Sequence, residues 1–142
     1  MFERKTLKIA INEELKENRK PEIASIGEPY DIISYGNSSN DIRYIEVKGH
    51  KSFLTLNEIR LTKREFNIAK EYGNKYWIYS IAFTPSENKI IKIQNPIEKL
   101  KWETVKKKGK ISKYYSHIPL NEIINEGNIN GNSFKRENNF NR

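Results

Sequence analysis

The sequence contains no cysteine and one methionine. Without thiols it can form no disulfide framework or zinc knuckle, and it has no thiolate nucleophile. It has two histidines, His50 and His117. His117 has no acidic or histidine partner in sequence, so a histidine-bound metal or an HNH-type nuclease is not expected. No apolar run approaches the length that spans a membrane. The first residues, Met1-Phe2-Glu3-Arg4-Lys5, are charged and lack the apolar stretch of a signal peptide. The expectation is a soluble cytoplasmic protein with no membrane partner.

What is abundant is charge, and it is unbalanced. The 142 residues include 26 Lys+Arg against 18 Asp+Glu, a net charge of +8. Such a chain favours polyanionic partners, nucleic acid above all. Its length suits one domain, expected over residues 1–126. From Gly127 onward Asn, Gly, Lys, Arg and Glu leave little to bury, so 127–142 is expected to be a disordered polar tail.

Leu7, Ile11 and Leu15 recur at helical spacing, with Ala10 and Glu14 beside them, and predict a helix over 2–18 ended by Asn18 and Pro21. Strands are predicted at 30–34 and 42–48, joined by the polar turn 35–41 and ended by Gly49. A strand of uncertain register lies within 52–61. Thr62-Lys63-Arg64-Glu65 has the form of a capping box and opens a helix to about Tyr72, with Gly73 placed to end it. Tyr76–Phe83 reads as a buried strand, Lys89–Ile93 as the strand returning from it, and Pro96–Leu100 as a short helix. Lys106–Lys110 is a basic turn, 111–118 an edge strand and 120–124 a short helix. The order predicts a mixed central sheet flanked by helices, an α/β (α+β) class. The segment from 52 to 83 is expected to form a strand–helix–strand crossover within that sheet.

Side chains two apart on a strand share a face. Glu46 and Lys48 therefore point the same way, and Asp31 lies on the neighbouring strand. Two acids and a lysine so placed can hold a divalent ion beside a phosphate. A cross-strand salt bridge is the plainer alternative.

Tyr30-Asp31-Ile32, Arg43-Tyr44-Ile45-Glu46-Val47-Lys48-Gly49, Leu61-Thr62 with Glu65-Phe66, Tyr76-Trp77-Ile78-Tyr79 and Ile93-Gln94-Asn95-Pro96 together resemble the domain at the C-terminus of the plant protein NO VEIN. That domain is also appended to prokaryotic helicases and defence proteins. The resemblance spans about residues 8 to 118. It implies a PD-(D/E)xK nuclease-like, restriction-endonuclease-like fold with a four-stranded mixed sheet between helices. It further implies a Mg²⁺- or Mn²⁺-dependent DNA nuclease with Asp31, Glu46 and Lys48 catalytic. Asp31, Glu46 and the Val47 carbonyl would ligate the metal, with Glu14 reaching its shell through water. Such nucleases often work as dimers, so a homodimer is expected, with a helicase or defence partner. Pro29 stands where the family usually has glycine.

Lys63, Arg64 and Lys70 on the capped helix, and Lys106, Lys107, Lys108 and Lys110 in the basic turn, are candidate phosphate contacts. Trp102, Tyr114 and Tyr115 near that turn suit stacked bases. His50, just past the lysine motif, is a candidate auxiliary group for phosphate binding or proton transfer. Two alternatives to a nuclease are a nucleic-acid-binding module without catalysis and a protein-interaction domain with a decayed site.

Overall fold

A computed structural model describes residues 2–119. The tail at 127–142 and the helix expected at 120–124 lie outside the described residues. Helix α1 (Phe2–Lys16) buries Thr6, Ala10 and Glu14. It ends where Asn18 takes a left-handed φ of 61°. Then come β1 (Lys20–Ile23), β2 (Ile32–Tyr35) and β3 (Ile42–His50). A 3-10 turn at Phe53–Thr55 leads to β4 (Glu58–Thr62) and α2 (Lys63–Tyr72). The chain continues through β5 (Tyr76–Phe83), β6 (Asn88–Gln94), α3 (Pro96–Lys99), β7 (Glu103–Lys107) and β8 (Lys110–His117).

Five strands form a mixed sheet in the order β1-β2-β3-β5-β6. β3 and β5 run parallel, and the other neighbours are antiparallel. The mixed sheet and flanking helices agree with the expected class, but the sheet has five strands rather than four. The added edge strand, β1, contains Pro21, which an edge position tolerates because no ladder donor is needed there.

β4, β8 and β7 make a second, antiparallel sheet. This corrects two expectations. The crossover connects β3 to β5, and β4 leaves the central sheet to pair with β8. β8 is the middle strand of its sheet rather than an edge, because β7, within and before the basic turn, pairs along its other side. Lys108 and Gly109 both take positive φ, 51° and 78°, which suits a tight two-residue hairpin loop.

Gly49 does not end β3, which continues to His50. A Cβ on Gly49 would come within 2.8 Å of the Phe2 ring and 2.9 Å of the Thr6 methyl. Glycine here lets α1 lie directly on the strand.

The central sheet is covered on both faces. α1 packs Ala10 against Ile32, Ile45, Trp77, Tyr79 and Ile81. On the other face, Ile78 and Ile93 meet Ala69 of α2 and Ile59, Leu61 and Ile118 from the second sheet's side. β5 lies between these layers and is buried at every residue but the last. That explains its continuous apolar sequence. No helix among the described residues is long and apolar enough to cross a membrane.

Candidate metal and phosphate site

The β2–β3 ladder begins by pairing Ile32 with Ile45, so Asp31 sits one step outside it, opposite Glu46. The Asp31 amide donates to the Ile45 carbonyl at 2.8 Å. The Val47 amide donates to Asp31 Oδ2 at 2.8 Å, which turns the carboxylate toward β3. The Tyr76 hydroxyl donates to the Pro29 carbonyl at 3.1 Å and ties down the approach to Asp31. The Val47 carbonyl leaves the strand on the same edge as its amide, toward Asp31.

Glu46, Lys48 and His50 follow one another on one face of β3. Lys48 Nζ lies 3.2 Å from Glu46 Oε2. It also donates to Glu65 Oε1 at 3.0 Å. Glu65 belongs to the capping box that the sequence suggests: the Thr62 hydroxyl accepts from the Glu65 amide, and the Thr62 amide donates to Glu65 Oε1. The structure therefore gathers Asp31, Glu46, Lys48 and Glu65. Sequence reading treated Glu65 only as a cap. Its membership of one of the five family motifs was the available signal.

Burial sets the electrostatics of this cluster. It pushes the Glu46 carboxyl up to about 9, helped by Asp31 and Glu65 and opposed by Lys48. Burial also raises Asp31, against the Val47 amide and Lys48. Glu65 resists burial and lies below its ordinary value, held there by Lys48 and the Thr62 amide. Burial would lower Lys48, but Glu46 and Glu65 together outweigh it and raise the ammonium.

As the side chains stand, no group of three or more His, Asp or Glu among the described residues is set to hold a metal. The donor set nevertheless fits a hard cation. Asp31, Glu46 and the Val47 carbonyl are all oxygen donors, the chemistry that suits Mg²⁺ with several waters retained.

His50 donates or accepts at Nδ1 with Thr55 Oγ1, 3.1 Å away. Its Nε2 is buried and has no hydrogen-bond partner among the described residues. Burial, opposed by Glu58 and assisted by Lys48, holds the ring below its usual pKa.

Glu14 is not brought to this site, which corrects the expectation that it reaches the metal shell. It is fully buried beneath the opposite face of the sheet. There it lies 3.2 Å from Arg43 and 3.4 Å from Arg19, and the Tyr79 hydroxyl donates to it. Arg43, Ile45 and Val47 alternate with Glu46 along β3, so their side chains occupy the other face.

Lys63, Arg64 and Lys70 are exposed on α2, and Lys106, Lys107, Lys108 and Lys110 are exposed on the β7–β8 hairpin. The two groups lie on different elements. Of the neighbouring aromatics, Tyr114 stacks on Phe66 with centroids 3.6 Å apart, and Trp102 meets the same ring edge-on. Both are packing residues of the inner layer. Tyr115 alone of the three is on the outer face.

The protein-family model described as "Protein NO VEIN, C-terminal" matches residues 2–93. The chain belongs to this family. The matched segment of the NO VEIN C-terminal family carries Asp31, Glu46, Lys48 and Glu65 together. No curated protein matches the chain. Among solved structures, the chain is similar to Hjc, a Holliday junction resolvase from Archaeoglobus fulgidus, with 16% identity and a TM-score of 0.46. That similarity covers 78% of this chain and 80% of Hjc.

Proposed function

We propose that this NO VEIN C-terminal domain is a metal-dependent nuclease that hydrolyses phosphodiester bonds in DNA. The observation that carries this reading is the meeting of Asp31, Glu46 and Lys48 where β2 departs from β3. Asp31, Glu46 and the Val47 carbonyl would hold Mg²⁺ or Mn²⁺. When bound, the ion polarises the phosphoryl oxygen and makes water a better nucleophile.

The remaining work falls to the chain's own groups. The Val47 amide fixes the orientation of the Asp31 carboxylate. Lys48, a compact donor two residues from Glu46, would stabilise charge on the phosphate or orient the attacking water. Glu65 holds the Lys48 ammonium from α2. The family resemblance adds a helicase or defence-system partner and a homodimer to this reading, and the sequence itself adds a cytoplasmic setting.

A second reading rests on the two carboxyl contacts of Lys48. With Glu46 and Glu65 both engaged, the cluster is also complete as a structural clasp. The domain would then bind nucleic acid without cutting it. Incubation of the full chain with plasmid and single-stranded DNA in Mg²⁺, Mn²⁺ or EDTA separates the two. Metal-dependent nicking that Lys48→Ala abolishes supports the nuclease. Intact DNA under every condition supports the binding module.

A further inference from the structure

We propose that the outward face of the β4–β8–β7 sheet is a docking groove for a single-stranded polynucleotide. This stands apart from the cleavage reading, since it requires binding only.

The register defines the face. Arg60 pairs with Tyr115, and Thr62 with Lys113, while Glu103 and Val105 lie beyond them on β7. The inward residues Ile59 and Leu61 are buried against the core. A groove of ≈ 530 Å³ opens here, lined by the outward Arg60, Val105, Lys113 and Tyr115 and also by Lys107, Ser112 and Tyr114.

Its charge has one sign. No carboxylate lines the groove. The acids on this face, Glu58 opposite His117 and Glu103 opposite Tyr115, stand at its margin. Arg60, Lys107 and Lys113 form no ion pair among the described residues, whereas Lys48, Lys92, Arg19 and Arg43 all do. Three cations left without carboxylates beside an open groove suit a string of phosphates.

The aromatic component narrows the partner. The Arg60 guanidinium rests 5.3 Å from the Tyr115 ring centre. The Tyr115 hydroxyl meets His117 Nε2 at 2.8 Å, which steadies the ring against the sheet. Lifting Arg60 onto a phosphate exposes a fixed ring to a base. A flat ring on a β-sheet beside lysines is a stacking platform for unpaired bases. In a duplex the bases are already stacked inside, and Tyr115 would have no role. A single strand uses both the cations and the ring.

The test is fluorescence anisotropy with the full chain and labelled oligo(dT), oligo(U), a mixed-sequence duplex and heparin. The triple variant Arg60→Gln, Lys107→Gln, Lys113→Gln should weaken single-strand binding at least tenfold. It should also flatten the log–log salt slope by about 2, as three phosphate contacts require. Tyr115→Leu should weaken single-strand binding about fivefold or more and leave heparin binding unchanged. The charge-matched control Lys8→Gln, Lys20→Gln, Lys75→Gln, placed on other elements, should lose less than twofold. The dT and U arms separate DNA from RNA as the preferred strand. Thermal melts confirm that each exposed substitution leaves the fold intact. The proposal is overturned if wild type binds no single strand at low salt or if the control weakens binding as much as the groove variant. It is also overturned if the duplex binds more tightly than the single strand, or if Lys63→Gln, Arg64→Gln, Lys70→Gln on α2 costs more than the groove triple. Tyr115→Leu weakening heparin and oligonucleotides alike would reduce the groove to a nonspecific charged surface.

Discussion

Lys48 and Glu65 join a strand of the central sheet to the first turn of α2 through a 3.0 Å ion pair. The same Glu65 oxygen accepts from the Thr62 amide at 3.0 Å. One carboxylate thus fixes both the start of a helix and the ammonium beside Glu46. Glu65→Ala should cost about 1 kcal/mol in urea unfolding through loss of the reciprocal cap. It should also lower metal-stimulated cleavage, because Lys48 loses the partner that holds it. Cleavage unchanged in a correctly folded variant would remove Glu65 from the site.

Asp31→Asn keeps an oxygen for the Val47 amide and removes the charge that a metal needs. Metal-stimulated cleavage should disappear while the melting temperature moves by only a few degrees. An Asn variant that cuts at the wild-type rate would exclude Asp31 as a ligand.

Glu46 links the site to pH in the absence of metal. Burial raises its folded pKa to about 9, above the ordinary carboxylate value of 4.5. The folded form therefore holds a proton that the unfolded chain releases. This contribution to stability is complete below pH 4.5 and is lost as pH rises through about 9. In EDTA, wild type should lose melting temperature across that window relative to Glu46→Gln, which has no proton to give up. Divalent metal should release a proton on binding near pH 7.5, measurable from the buffer dependence of the binding heat. Parallel pH profiles for the two proteins would refute the raised pKa.

Glu14 separates structural charge from site charge. It is fully buried between Arg19 and Arg43. Glu14→Leu leaves two cations short of a partner and should cost about 3 kcal/mol. Its Mn²⁺ affinity by calorimetry, measured below the melting transition, should match wild type. A tenfold loss of affinity would return Glu14 to the metal shell.

Lys48→Arg replaces a compact ammonium with a broad planar fork. If Lys48 must stand beside one phosphate oxygen, turnover should fall by about 100-fold while DNA affinity persists. Undiminished cleavage would rule out a positioned-lysine role.

Features carried by local pattern were legible in the sequence. The apolar run 76–83 is the buried β5, and Thr62 with Glu65 forms the capping box at the start of α2. The two-residue alternation at Glu46 and Lys48 placed both side chains on one face. Features set by distant partners were not legible. β1 contains proline and exposed charge and is a strand only because β2 offers an edge. β7 is exposed along its whole length, so its pattern carried no signal. Glu14 lies on an apolar stripe, but its partners Arg19 and Arg43 become neighbours only when α1 docks. Gly49 looked like a strand breaker because the helix lying on it is remote in sequence.

The family match ends at residue 93, but β4 within it takes its ladder partners from β8, at Lys110–His117. A fragment cut at the end of the match would strand β4 as an open edge and uncover Ile59 and Leu61. Exposed edges with apolar side chains invite pairing between copies. β4 and the hairpin that follows the match therefore belong to one sheet. The boundary of sequence similarity is drawn through the middle of a sheet.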